Sequence, residues 1–231
     1  MEGVVGSIPA GSNKKEMIKA IILDVDDTII NFSKVASVCY QELAKAFSYK
    51  VPKKEEISRQ FGIPAKKLIK KFWPKANAEE FETLAIRKIS KKKIKPIRNA
   101  IKTIKFLHKN YTLALLNSKP KKLMYHQLKQ IKLNKKYFKF TYAREDVKYH
   151  KPSPLVFLKP LKKLKLKKEE ILYVGDSMFD CIATKKAKIK FVAVLTGHYK
   201  RHEFIKKGVA NKNIIKSLSL LPKWLENNYF K

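Results

Sequence analysis

The sequence predicts an α/β fold: a doubly wound parallel sheet with a small all-helical domain inserted after the first strand. Three observations carry this reading. A short β-branched run, Ile18-Lys19-Ala20-Ile21-Ile22-Leu23, ends abruptly in acidic residues. The following stretch, 33–95, shows apolar residues only at helical spacing, and from Ile97 onward strand-like and helix-like segments alternate.

Residues 1–17 carry three of the seven glycines and no periodic pattern, so they read as a flexible leader, with Met17 as the natural start of the folded chain. The run from Ile18 has the uninterrupted apolar character of a strand buried on both faces. Between Ser33 and Lys95, breaks at Pro52, Gly62-Ile63-Pro64 and Pro74 divide the segment into about four helices. Lys91-Lys92-Lys93 followed by Pro96 reads as the hinge back to the core. The α/β core therefore comprises 18–32 and 96–231, and the helical insertion 33–95. Within the second part the order is helix 98–109, strand 112–116, helix 120–132, strand 139–142, helix 153–165, strand 171–174, helix 177–187 and strand 190–195. A helix near 201–207 and a terminal one near 217–227 complete it.

Composition narrows the function classes. The chain has 231 residues, 45% of them apolar, which suits a folded protein with a real core rather than a disordered one. No apolar run reaches the roughly 20 residues that span a bilayer, and the N-terminus lacks a signal-peptide pattern. Cys39 and Cys181 stand far apart, against a disulfide framework or a cysteine zinc site, so a cytoplasmic setting without membrane attachment is expected. The formal net charge is +34. Nucleic acid is one partner such a charge admits, but 48 Lys stand against 5 Arg, and the Lys are spread through almost every segment. Bidentate phosphate and base recognition favours Arg, so a solvated lysine-rich surface is the preferred reading. The sequence carries no signal of oligomeric state.

The rarer sign of charge is more telling. Of six Asp, five fall in two clusters, Asp24, Asp26 and Asp27, and Asp176 and Asp180. Both lie just beyond predicted strands, where open parallel sheets bind ligands. Asn117-Ser118-Lys119 follows the second predicted strand, and Lys151 lies in the loop after the third. Crowded carboxylates need a cation, and oxygen ligands of this kind suit Mg2+. A carboxylate beside a metal and a lysine is a competent nucleophile toward phosphorus, so these groups specify metal-assisted phosphoryl transfer through an aspartyl phosphate. Ser177-x-x-Asp180 is also the pattern of a helix capping box, and Asp26 and Asp27 could be plain turn residues. Neither of those readings explains why the clusters sit at the same sheet edge.

Asp24-Val25-Asp26-Asp27-Thr28 resembles the DxDxT motif of the haloacid dehalogenase-like (HAD) superfamily, Lys151-Pro152-Ser153-Pro154 its Lys-Pro-x-Pro motif, and Gly175-Asp176 with Asp180 its GDxxxD motif. The order and spacing fit over about 18–227. The resemblance implies a Rossmann-like HAD core with a C1 helical cap, and Val194-Leu195-Thr196-Gly197 is similar to the phosphoglycolate phosphatase branch. It further implies that Asp24 attacks phosphorus and that Asp26 serves as general acid and base, its backbone also reaching the metal. Asp176 would be the metal ligand from the far cluster, and Asp180 would orient Lys151 or a metal-bound water. Thr28 would hydrogen-bond within the first loop, and Lys151 would neutralise the nucleophile and the transferring phosphoryl group. Superfamily dehalogenases lack the second carboxylate of the first motif, so Asp26 points to phosphorus.

Two positions depart from the pattern. Asp27 replaces a common Gly, and the second motif reads Asn117-Ser118-Lys119-Pro120. Aligned on Lys119-Pro120, Asn117 would bind the phosphoryl group; a slip of one residue offers Ser118 instead. The implied activity is a Mg2+-dependent phosphatase for a small phosphorylated metabolite, with a phosphomutase or 5'-nucleotidase as alternatives within the superfamily. A basic nucleic-acid-binding protein on an inactive scaffold is the alternative of another class.

Overall fold

A computed structural model describes residues 17–229; apart from Met17, the expected leader lies outside them. Among these residues six strands form one all-parallel sheet: β1 (Ala20–Leu23), β2 (Thr112–Leu116), β3 (Thr141–Tyr142), β4 (Ile171–Gly175), β5 (Lys190–Val194) and β6 (Ile214–Ile215). Their spatial order is β3-β2-β1-β4-β5-β6. The chain steps outward from β1 on one side, then returns to build the other, so the order reverses at β1. Ligand crevices form at such a reversal. The register is flush there: Leu23 pairs with Leu115 on one side and Val174 on the other. The Asp24 amide extends the ladder, donating to the Val174 carbonyl at 2.9 Å. Loops leaving β1, β2 and β4 therefore start at nearly one level.

The sheet is buried on both faces, as its continuous apolar strands require. Ile21 and Leu23 face one side with Leu115, Val174 and Val192; Ala20 and Ile22 face the other with Phe157 and Tyr173. The insertion contains helices α1 (Ser33–Ala46), α2 (Lys54–Ser58), α3 (Ala65–Phe72) and α4 (Ala78–Ser90). Its own core is aromatic: Tyr40, Trp73 and Phe81 pack together, the Trp73 and Phe81 rings 4.7 Å apart. The two strands of chain that join it to the core are tied to each other. Asn31 N donates to Lys95 O at 3.0 Å and Ile97 N to Ile29 O at 2.8 Å.

The remaining helices are α5 (Ala100–Leu107), α6 (Lys121–Gln130), α7 (Leu158–Leu164), α8 (Met178–Ala187), α9 (Arg201–Lys206) and α10 (Leu221–Tyr229). Two expected helices begin differently. The segment expected over 153–165 opens as a 3-10 turn, Pro154–Phe157, because Ser153 caps it and Pro154 supplies no amide. The terminal segment likewise starts with a 3-10 turn at Leu218–Leu220. Strand β6 is absent from the sequence expectation: two isoleucines between Asn213 and Lys216 are too short to show a period.

Candidate active site

The first loop is shaped by Asp27. Its φ is 51°, in the left-handed region that Gly occupies freely and that Asp tolerates better than most residues, so the Gly-to-Asp departure costs little. Its Oδ1 accepts from the Ser33 amide at 3.1 Å, bonding the first amide of α1. The turn closes on itself, with the Ile29 and Ile30 amides donating to the Val25 carbonyl. Thr28 is fully buried, but among the described residues its hydroxyl has no partner. The hydrogen bond expected of it within this loop is not made among the described residues.

Lys151 sits at the centre. Though only 2% exposed, its Nζ donates to Asp24 Oδ1 at 2.9 Å, Asp180 Oδ1 at 2.7 Å and the Tyr173 hydroxyl at 3.1 Å. Tyr173 in turn donates to Asp180 Oδ1 at 2.9 Å. The other oxygen of Asp180 accepts from Ser177 N at 3.1 Å and Ser177 Oγ at 2.6 Å, while Ser177 Oγ accepts from Asp180 N at 3.2 Å. One carboxylate thus closes a capping box at the start of α8 and grips the buried ammonium. The two readings of Ser177-x-x-Asp180 hold together.

The second loop separates its two candidates. Asn117 Nδ2 donates to Asp24 Oδ1 at 3.1 Å and lies 3.4 Å from Asp26 Oδ2, and its side-chain oxygen is held by the Lys119 amide at 2.7 Å. Ser118 Oγ instead donates to the Gly62 carbonyl of the insertion at 2.7 Å. Asn117 therefore faces the carboxylates, and Ser118 faces the helical insertion. Lys119, which the sequence hides among 48 Lys, is buried and ion-paired with Asp26; it also bonds Gln127 and lies 4.0 Å from the centre of the Phe32 ring.

Asp176 completes the acidic group. Carboxylate oxygens of Asp24, Asp176 and Asp180 all lie within 4.8 Å of one another. Gly197 makes room for it: a Cβ there would stand 1.9 Å from Asp176 Oδ2, so only glycine lets this loop lie across the carboxylate. Burial pushes the Asp24 carboxyl up to about 7 against the pull of Lys151, and Asp27 to about 7 as well. Asp176 is raised well above the carboxylate range by burial and by Asp27 and Asp24. Carboxylates this crowded, with Lys151 as their buried ammonium, form a donor set that fits a hard divalent cation.

The pH sign follows. Groups raised from 3.8 to about 7 hold protons in the folded state that the unfolded chain releases, so their protonated forms stabilise the fold at low pH. That contribution fades as pH rises from about 4 to about 7. A cation that binds the ionised forms should restore it above 7. We expect about 10 mM Mg2+ to raise Tm by several degrees at pH 8 and by less than about 1 °C at pH 5, read by differential scanning fluorimetry.

Between insertion and rim lies a small cavity of about 40 Å3 whose lining includes Asp26, Asn117, Lys119, Phe61, Tyr40 and Glu82. The two parts are latched on either side. Arg59 pairs with Glu203 and donates to His198 O at 3.3 Å, while the Tyr199 hydroxyl donates to Arg59 O at 2.8 Å. Opposite, Glu82 of α4 pairs with Arg144 of the core.

A sequence profile described as haloacid dehalogenase-like hydrolase matches residues 21–194. The chain belongs to this family. Among its relatives, a PpaX protein of Caldanaerobacter subterraneus, named for pyrophosphatase activity, is 30% identical over 191 residues, spanning 77% of this chain and 81% of that protein. The phosphorylated carbohydrates phosphatase of Thermotoga maritima is 26% identical, spanning 75% and 83%. A hydrolase from Pseudomonas syringae shares the fold, with a TM-score of 0.78 at 23% identity over 89% of this chain and 97% of that one.

Within this haloacid dehalogenase-like frame the structure gathers Asp24, Asp26, Asn117, Lys151, Asp176 and Asp180 at one rim. Lys119, on which the second motif is aligned, joins them, and Tyr173 and Gln127 do so without a sequence signal: a strand Tyr and a helix Gln read as ordinary structure. Among the described residues no helix is long and apolar enough to cross a membrane.

Proposed function

We propose that this chain is a Mg2+-dependent phosphatase that hydrolyses a small phosphorylated metabolite in two steps through an aspartyl phosphate on Asp24. The observation that carries this reading is the pair of donors on Asp24 Oδ1, Lys151 Nζ at 2.9 Å and Asn117 Nδ2 at 3.1 Å. They hold one oxygen and leave Oδ2 to attack. In the first step Oδ2 bonds phosphorus as the ester P–O bond breaks, and Asp26 passes its proton to the departing oxygen. In the second, Asp26 takes a proton from water as that water attacks phosphorus and frees Asp24. Lys151 and the Asn117 amide offset the charge that develops on the phosphoryl oxygens.

Asp24, Asp176 and the Asp26 backbone are the groups that would hold Mg2+. Bound there, the ion would screen the substrate's negative oxygens from the attacking carboxylate. Asp180 acts through Lys151, keeping the ammonium against Asp24. The Tyr173 hydroxyl braces the same pair. The relatives named for pyrophosphate and for phosphorylated carbohydrates bracket the size of substrate to try.

The test is phosphate release from p-nitrophenyl phosphate and a panel of short phosphate esters, with Mg2+ or with a chelator. Release with Mg2+ at least about 100-fold above the chelated sample is expected. Undiminished release under chelation, or none from any ester, would overturn the reading.

A further inference from the structure

The cavity under the insertion has two chemically different ends. At the rim end stand Asp26, Asn117 and Lys119, the reacting side. The far wall comes from the insertion and is apolar, with Phe61, Leu68, Ile86 and Ile89, except for the polar groups of Tyr40 on α1 and Glu82 on α4. Both of these side chains are buried, each residue only 4% exposed, and both line the cavity. Glu82 Oε1 pairs with Arg144, which lies outside the lining. Among the described residues, Glu82 Oε2 and the Tyr40 hydroxyl make no hydrogen bond. Neither atom is sealed from solvent, so a ligand that displaces water here must itself pair with them: Glu82 Oε2 accepts only and demands a donor, while the Tyr40 hydroxyl can accept from or donate to a ligand hydroxyl.

The opposite chemistry is missing. Among the described residues, Lys119 is the only ammonium or guanidinium lining the cavity, and Asp26, Gln127 and the face of Phe32 already engage it. A second anion on a leaving group would meet Glu82 with no cation supplied by the insertion. Recognition by buried polar groups discriminates strongly, because the wrong ligand leaves them unpaired.

We propose that this cavity is the leaving-group pocket, and that Glu82 and Tyr40 select phosphate esters whose leaving group carries a hydroxyl or ammonium donor, against those carrying a second anion. The proposal rests on the phosphatase reading above and adds the substrate class. The cavity's volume of about 40 Å3, room for about three waters, limits the leaving group to a few heavy atoms. The Glu82–Arg144 pair then has two roles: it latches insertion to core and aims Oε2 inward.

The experiment compares kcat/KM for glycerol 3-phosphate and phosphoethanolamine, the hydroxyl and ammonium arms, with phosphoglycolate and pyrophosphate, the second-anion arm. Ethyl phosphate, which has neither group, reports the chemistry alone. In the wild-type protein the better donor ester should exceed both second-anion substrates by about 10-fold or more. Glu82→Gln should narrow that ratio at least about 10-fold, mainly through KM, with every rate taken relative to ethyl phosphate in the same variant so that any loss from the weakened latch cancels. Tyr40→Phe, which leaves the latch intact, should lower the donor esters about 3- to 10-fold and spare phosphoglycolate. Preference of the wild type for phosphoglycolate or pyrophosphate would overturn the proposal while upholding the phosphatase reading. So would ratios that neither variant moves. Failure of the wild type on every ester, ethyl phosphate included, would instead overturn the phosphatase reading itself.

Discussion

Replacing Asp24 with Asn is expected to lower phosphate release by about 1,000-fold or more while leaving the fold at least as stable as before. The two effects have one cause. Asp24 is buried among carboxylates, and that burial pushes its carboxyl up to about 7, so above pH 7 the native protein carries an ionised group in a place that resists it. Asn keeps the side-chain oxygen that accepts from Lys151 and Asn117 but removes the charge. The nucleophile is lost, and with it the covalent route. Stability should hold or rise by a few degrees in Tm at pH 8, as when a site strained for function is relaxed. A variant that loses activity only because it unfolds would show the reverse, a fall in Tm.

Replacing Lys151 with Met should damage both properties. The ammonium is the buried cation shared by Asp24 and Asp180, and removing one partner of a buried ionic group typically costs about 3–5 kcal/mol. For a chain of this size that corresponds to a drop in Tm on the order of 10 °C without metal. Mg2+ should recover part of the loss by screening the carboxylates. Activity should fall by about 1,000-fold or more even at temperatures where the variant is folded, because Lys151 also offsets the phosphoryl charge. Thermal melts with and without Mg2+, beside phosphate release at 20–25 °C, separate the two contributions. A variant with unchanged Tm would show that Lys151 does not carry the buried charge balance.

The acidic half of the site was legible because aspartate is scarce in this chain. Against 48 Lys, five Asp grouped beyond two strands could not be a solvated surface, and the alternation after Ile97 placed both groups on one sheet edge. The basic and neutral half was not. Lys119 and Lys151 are chemically identical in sequence to every surface lysine; Pro120 made the first an alignment anchor without giving it a role, and the Pro152 and Pro154 context marked the second. Tyr173 has the pattern of a core strand residue, and it is one; its hydroxyl matters because β4 runs beside β1. Glu82 sits on α4, where an acid normally marks a solvated face, yet Arg144 arrives from a loop 62 residues on and buries it. Such pairings are made by the packing of insertion on core and leave no local periodicity. Asp27 is the converse case: its left-handed backbone explains why Gly is common at that position and why Asp still serves.

The large positive charge remains a property of the surface. Its field would draw anionic phosphate esters toward the rim, where the groups gathered are the grouped aspartates, two buried lysines and one amide. The central claim is that phosphorus becomes bonded to Asp24. Acid quenching during turnover of a short phosphate ester with Mg2+, followed by borohydride reduction and peptide mass spectrometry, tests it directly. Homoserine at position 24, and at none of Asp26, Asp176 or Asp180, is the expected result. Homoserine at a different aspartate, or none at all from samples that release phosphate, would contradict it.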